Sequence, residues 1–161
     1  MTDRAENAVN QWAQEKPQLP GLPMLLVGRL GEVVNVISHT HLNPLFNRFG
    51  LQPGEFDVLA TLRRSGQPYA LTPTALYEAT MVSSGGMTNR IDRLEKDGWV
   101  ERQKNPHDRR GTLVYLTAAG LALIDELIEL HVANEQQMLA ALSEQEQEQL
   151  SQLLAKLLAS L

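Results

Sequence analysis

Apolar residues recur at helical spacing along most of this 161-residue chain, and only two short runs, one of them rich in β-branched and aromatic residues, read as strands. Ala5, Ala8, Val9, Trp12 and Ala13 fall at i, i+3, i+4, i+7 and i+8, which predicts an amphipathic helix stopping before Pro17. PQLPGLP then reads as a breaker-rich linker. A long, largely apolar helix is expected from Met24 to Phe49, with an interruption near Asn43-Pro44. Pro53 suits the first position of a helix through Arg64, and Thr72-Pro73 opens a short one through Ala79. Leu121, Ile124, Leu127, Ile128, Val132, Met138, Leu139 and Leu142 line a late helix. Ser143-Glu-Gln-Glu146 is a capping box for the last one, which carries Leu150, Leu153, Leu154, Leu157, Leu158 and Leu161.

The stretch Ser83–Thr117 has a different texture. Met87, Ile91 and Leu94 form one narrow apolar stripe at about 100° per residue, Ser84 suits the N-cap, and Gly98 supplies a left-handed stop. Opposite the stripe lie Gly85, Gly86, Asn89, Arg93 and Lys96, with Thr88 beside them. Glycines at the leading end allow close approach of backbone, Asn89 and Arg93 can hydrogen-bond base edges, and Lys96 suits phosphate. Taken alone, this is also the pattern of an ordinary surface helix. The adjoining hairpin tips the balance. Two short strands, from Trp99 to Arg102 and from Thr112 to Leu116, flank a turn-rich segment carrying Lys104, Arg109 and Arg110. Asp108 can pair with one of these arginines and orient it, and an arginine at a hairpin tip suits a narrow minor groove. Thr72 to Arg93 therefore reads as a helix–turn–helix followed by a wing. The fold class expected is mainly α with a small β-hairpin wing: residues 51–116 bind DNA, residues 1–20 add a helix and linker, and residues 21–50 with 117–161 form a helical dimerisation region.

Charge first argues against a polyanionic partner, since the formal net charge is −5. Its distribution reverses the inference. Residues 48–110 hold ten lysines and arginines against eight carboxylates, and the remainder holds four against eleven. The leucine-rich ends exceed what the reading unit can cover, which favours a homodimer over packing on their own domain alone. A two-fold dimer also matches a palindromic double-stranded DNA operator with half-sites about 34 Å apart.

Other classes find little support. With no cysteine there is no disulfide framework, thiolate zinc site or redox switch. His39 and His41 sit about 200° apart on a helix and cannot easily share a metal. No acid–base or nucleophilic constellation is readable, so neither enzyme activity nor a cofactor is expected. No apolar run is long enough to span a bilayer and no signal peptide is evident, so a cytoplasmic protein without a membrane partner is expected. A helical interaction protein that binds no DNA is the competing class, and would lack salt-sensitive DNA affinity.

The order of elements, with DRR (residues 108–110) followed by Leu116, Thr117 and Gly120 in an LT-x-x-G pattern, resembles the MarR family over most of the chain. That resemblance implies a dimeric winged helix–turn–helix regulator, usually a repressor released from DNA by a small aromatic anion. The segments EFDVLATLRRSGQPYAL and TNRIDRLEKDGWVER, with QW in the added first helix, resemble the urate-responsive, PecS-like branch. The resemblance implies a urate-like effector held by Trp12, Asp57, Arg90 and Arg102. Chemistry is compatible: Arg90 lies about 70° off its helix's apolar stripe, two guanidiniums can clamp a planar anion, and an indole can stack on it. Phenolic or hydroxypyridine carboxylates could use the same arginines. The plainer alternatives are that Trp12 anchors a terminal helix and that Asp57 pairs with Arg63 or Arg64 at the surface.

Overall fold

A computed structural model describes residues 2–80, 86–106, 108 and 111–161. The chain forms two compact units, residues 1–44 and 45–161.

In the first unit, α1 (Arg4–Glu15) starts at Asp3, whose carboxylate accepts the Glu6 N–H at 2.8 Å. The helix α2 (Gly21–Val36) lies close against it, because Gly28 leaves room that a Cβ would take 2.8 Å from Ala5 Cβ. Arg29 Nε reaches the same Asp3 carboxylate at 2.7 Å, and its guanidinium lies 3.5 Å from Glu6. The predicted interruption near Asn43-Pro44 is a widening instead. Residues Ile37–Leu42 form a π-helical turn in which Asn43 N–H bonds to Ser38 O, and α3 (Asn43–Arg48) continues the helix. A proline inside a regular α-helix clashes with the carbonyl four residues earlier, and one extra residue in the preceding turn relieves that clash. Helix therefore runs from Gly21 to Arg48, 28 residues with a mean hydropathy of 1.3 in its most apolar window. This corrects the expectation that no apolar run reaches bilayer length: one helix does, by length and composition, because Asn43-Pro44 does not end it.

The second unit holds the elements expected to read DNA. Gly54, at φ +82°, caps α4 (Glu55–Arg64), so Pro53 lies before the helix rather than at its first position. Thr72 caps α5 (Pro73–Ala79) by accepting the Ala75 N–H at 3.1 Å. The helix α6 (Met87–Lys96) begins after Gly86 at φ +95°. The glycine's left-handed backbone does the capping that was expected of Ser84, which with Gly85 lies outside the described residues. At the other end Gly98 N–H bonds to Glu95 O at 3.1 Å and Trp99 N–H to Leu94 O at 2.9 Å, the paired bonds of a Schellman stop.

The strands β2 (Val100–Lys104) and β3 (Thr112–Leu116) pair antiparallel from Val100↔Leu116 to Lys104↔Thr112. A third strand, β1 (Ala70–Leu71), joins the free edge of β3, so the wing is a three-stranded sheet in the order β1-β3-β2 rather than an isolated hairpin. Thr117 then caps α7 (Ala118–Leu139), and Ser143 with Glu146 forms the expected capping box of α8 (Glu144–Leu158). Leu142 lies in the turn between them, not on α7. The core joins Leu59 and Leu62 of α4, Leu76 of α5, Ile91 and Leu94 of α6, Val100 and Val114 of the sheet, and Ile124 and Leu127 of α7. Every one of these is at most 2% exposed, so the three short helices, the sheet and the start of α7 share one interior.

Candidate nucleic-acid interface and ligand cavity

The apolar stripe of α6 faces that core, which leaves the other side outward. Thr88, Asn89 and Lys96 are exposed on α6, and Gly86 is exposed at its start. Arg93 is also exposed, but it is not unengaged. Its Nε lies 3.1 Å from Oε1 of Glu55, a carboxylate only 1% exposed at the first position of α4. That oxygen has no hydrogen bond of good geometry, so the contact is an ion pair with an N–H that is not aimed at its partner. The other oxygen, Oε2, accepts the Gln52 N–H at 2.6 Å. Glu55 thus ties the loop before α4 to the outer face of α6, with its negative charge at a helix N-terminus where the dipole favours it. Neither Glu55 nor this pairing was anticipated. The Gln52-x-x-Glu55 spacing hinted at a cap, but Arg93 lies too far along the chain for pattern to find it.

In the wing, Lys104 is exposed at the end of β2. The turn beyond it closes through Asn105 N–H to Gly111 O and Gly111 N–H to Asp108 O, both at 2.9 Å. Arg109 and Arg110, expected to contact DNA, lie outside the described residues, so the orientation of either arginine by Asp108 lies there too.

Arg102 leaves β2 toward α6. It forms ion pairs with Asp92, at 2.5 Å, and with Glu95, and its backbone N–H donates to Glu95 Oε1 at 2.9 Å. Burial pulls its pKa down, but hydrogen bonds to Asp92 and Glu95 outweigh this and leave it raised. Arg90 faces elsewhere. Its guanidinium packs on the start of α4, where a Cβ at Gly54 would stand 2.5 Å from Arg90 Nε. Positions 92 and 95 lie about 140–200° around the helix from position 90. The two guanidiniums therefore address different sides of α6, and the structure does not bring them together.

Asp57 is brought close to Arg90 in electrostatic terms. Burial raises the Asp57 pKa above its ordinary value, against the opposing pull of its own backbone N–H, His131, Arg90 and Arg64. It lines a cavity of about 350 Å³ between α4 and α7, with Phe56, Arg64, Ile128, His131 and Val132 among its walls. That volume lies within the roughly 300–1,000 Å³ of small-molecule sites. The His131 ring lies tilted against Phe56 at 41° with ring centroids 4.4 Å apart, and Phe56 stacks on Phe46 at 4.6 Å. Its Nε2 lies 3.1 Å from Glu135, whereas its buried Nδ1 has no hydrogen-bond partner among the described residues. His131 and Arg64 were missed as cavity residues, since α7 and α4 meet only in the folded chain. Trp12 is 46% exposed on α1 of the other unit. Arg63, one alternative partner for Asp57, instead pairs with Asp125 at 2.6 Å. Among the described residues no group of three or more His, Asp or Glu side chains is placed to hold a metal.

A short α4–α5–α6 bundle, with α6 outward and a sheet beside it, defines a winged helix–turn–helix. Residues 49–111 match the family model described as MarR family. Over 148 residues the chain is 42% identical to the HTH-type transcriptional regulator PecS of Dickeya dadantii (strain 3937), covering 92% of this chain and 89% of that protein. It is 36% identical over 104 residues to the multiple antibiotic resistance protein MarR of Escherichia coli (strain K12), covering 65% and 70% of the two chains. The fold matches a crystal structure of a mutant MarR from E. coli complexed with operator DNA, with a TM-score of 0.72, 30% identity, and 91% and 97% of the two chains covered. The chain belongs to the MarR family. It is a DNA-binding transcriptional regulator, not an enzyme.

Proposed function

We propose that the protein is a cytoplasmic homodimeric repressor that binds a palindromic operator and is released by a small planar aromatic anion, urate first among them. The cavity beside Asp57 carries this reading. It offers aromatic and aliphatic walls for a flat ring and the cationic group of Arg64 beside a carboxylate whose desolvation favours a hydrogen-bonding partner, with Arg90 acting on that carboxylate from outside the cavity's lining. Arg90 belongs to α6, so a ligand that captures it acts on the reading helix directly. The roles of Trp12 and Arg102 rest on the resemblance to the urate-responsive branch, and Arg102 would have to exchange Asp92 and Glu95 for the ligand. The same reading places DNA at Ser84, Gly85, Gly86, Thr88, Asn89, Lys96, Lys104, Arg109 and Arg110, and at Arg93 once it leaves Glu55.

Self-association is supported by the apolar side chains left exposed on α2 (Leu22, Leu26, Val27) and α8 (Leu153, Leu157, Leu158). Burying them in a second copy also accounts for the bilayer-length helix without a membrane.

The test is a mobility-shift titration of the protein's own upstream DNA with urate, run on wild type, Arg90→Ala and Trp12→Phe. Wild type should release DNA saturably and both variants should respond less. Equal response from the variants sinks the site. Release by a phenolic carboxylate but not by urate keeps the cavity and changes the ligand.

A further inference from the structure

The outer strip of α4 connects the cavity to the helix–turn–helix. Asp57, Thr61 and Arg64 share one face at intervals of four and three residues. Asp57 and Arg64 both line the cavity, and the Arg64 guanidinium donates to Thr61 Oγ1 at 3.1 Å and to the carbonyl of Ala79. Ala79 is the last residue of α5 and stands seven residues before Gly86, the cap of the reading helix. Other carbonyls at that helix end are satisfied locally: Leu76 O by the Thr80 N–H at 3.0 Å and Tyr77 O by the Thr80 hydroxyl at 3.2 Å. Ala79 O takes its donor from a different helix.

We infer that Arg64 transmits occupancy of the cavity to the reading helix: an aromatic anion bound beside Asp57 draws the guanidinium off the Ala79 carbonyl and frees the end of α5. This deepens the proposed ligand response and rests on it. The physical basis is a competition. Both hydrogen-bond partners of Arg64 are neutral oxygens, so an anion offers the guanidinium a charge–charge attraction that neither present partner supplies. Arg63, the adjacent cation in the same wall, is already paired with the Asp125 carboxylate at 2.6 Å and lies over the Tyr69 ring at 5.0 Å. A ligand therefore displaces Arg64 in preference to Arg63. Once Ala79 O has lost its donor, the end of α5 loses a fixed point, and DNA affinity falls.

The experiment measures DNA affinity with and without saturating urate for wild type, Arg64→Gln and Arg64→Lys, with a thermal melt of each. Urate should weaken wild-type DNA binding by a factor within the roughly 5- to 150-fold usual for coupled sites. The glutamine side chain is too short to span to Ala79. In Arg64→Gln, basal DNA affinity should drop toward the urate-saturated wild-type value, and urate should then change it by less than about twofold. Arg64→Lys, which can still reach the carbonyl, should keep part of the response. If Arg64→Gln binds DNA less tightly but shows the full wild-type urate factor, Arg64 is merely structural and the inference fails. If wild type responds neither to urate nor to a phenolic carboxylate, the ligand reading fails and takes the inference with it. Should Arg64→Gln not fold, amide exchange of Leu76–Thr80 in wild type decides. Faster exchange on urate saturation supports transmission through Ala79, and unchanged exchange overturns it.

Discussion

Gly120 is the tightest backbone crossing among the described glycines, and Gly120→Ala measures how firmly the wing is seated on α7. A Cβ there would stand 1.9 Å from the carbonyl oxygen of Trp99 and 2.9 Å from its carbon. Restoring the 3.0 Å that real Cβ contacts respect needs a separation of about 1 Å between the first turn of α7 and the start of β2. Backbone, not a flexible side chain, must move. Thr117 makes the bonds that oppose this: its N–H reaches Trp99 O at 3.2 Å, and its hydroxyl reaches Trp99 O at 3.3 Å and Gly98 O at 2.7 Å. A shift of about 1 Å carries the two longer ones past hydrogen-bonding distance. Two bonds at about 0.5–1.5 kcal/mol each, with about 1–3 kcal/mol for the overpacking, give a loss of about 2–6 kcal/mol. Domains are typically stable by about 5–15 kcal/mol, so the variant is badly weakened. At about 2–4 °C per kcal/mol for a chain of this length, the melting midpoint should fall by roughly 5–20 °C. Thermal denaturation at one fixed protein concentration reads this directly, since the proposed self-association would make the midpoint depend on concentration. A midpoint within about 2 °C of wild type refutes the reasoning.

Glu55→Ala leaves the Gln52 N–H without its acceptor and Arg93 without its carboxylate, so it should cost about 2–4 kcal/mol in urea denaturation; a loss below about 0.5 kcal/mol would show that the buried carboxylate holds nothing. Because the folded pKa of Asp57 is raised, its charged form costs stability once pH exceeds that raised value, and the cost disappears below the unfolded pKa. Asp57→Asn should therefore melt higher than wild type at neutral pH, with the advantage shrinking as pH falls through that window; a pH-independent difference contradicts it. Lys104→Ala should reduce the slope of log DNA affinity against log salt by about 1 without changing operator preference. An unchanged slope removes Lys104 from the phosphate contacts.

Where structure depends on neighbouring residues, the sequence was readable. Thr72 and Ser143 cap the helices their spacing predicted, and Gly98 stops α6 as expected. The misplacements share a cause. At Pro53-Gly54 and at Ser84-Gly85-Gly86, more than one residue type suited a helix start, and the positive-φ glycine nearest the helix took the role. Pattern cannot rank such choices, because the decision lies in how the preceding loop enters. β1 has two residues, too few for alternation to register, and exists because β3 offers a free edge. For the candidate site, the residues of α6 were legible but their partners were not. Arg93 with Glu55 and Arg64 with Ala79 are contacts between helices, whose distance along the chain leaves no local trace.

These contacts change what α6 presents to DNA. Three of the arginines first assigned to a reader or a clamp are engaged with protein: Arg93 with Glu55, Arg102 with Asp92 and Glu95, and Arg90 packed on Gly54. Arg93 and Arg90 tie α6 to the start of α4, and Arg102 ties it to the wing. Meanwhile Arg64 ties the end of α4 to the end of α5. Both helices of the reading motif are thus held by charged or polar contacts to one helix, α4, whose outer face borders the cavity. Among the described residues, the outward side chains of α6 not committed to such contacts are Thr88, Asn89 and Lys96. A reader of this kind depends more on where the helix sits than on how many cations it carries, which is compatible with a net charge of −5. It also makes position the natural variable for a ligand to control. Moving a guanidinium from one oxygen to another changes little in total charge, yet it releases one of the few points that fix the helix.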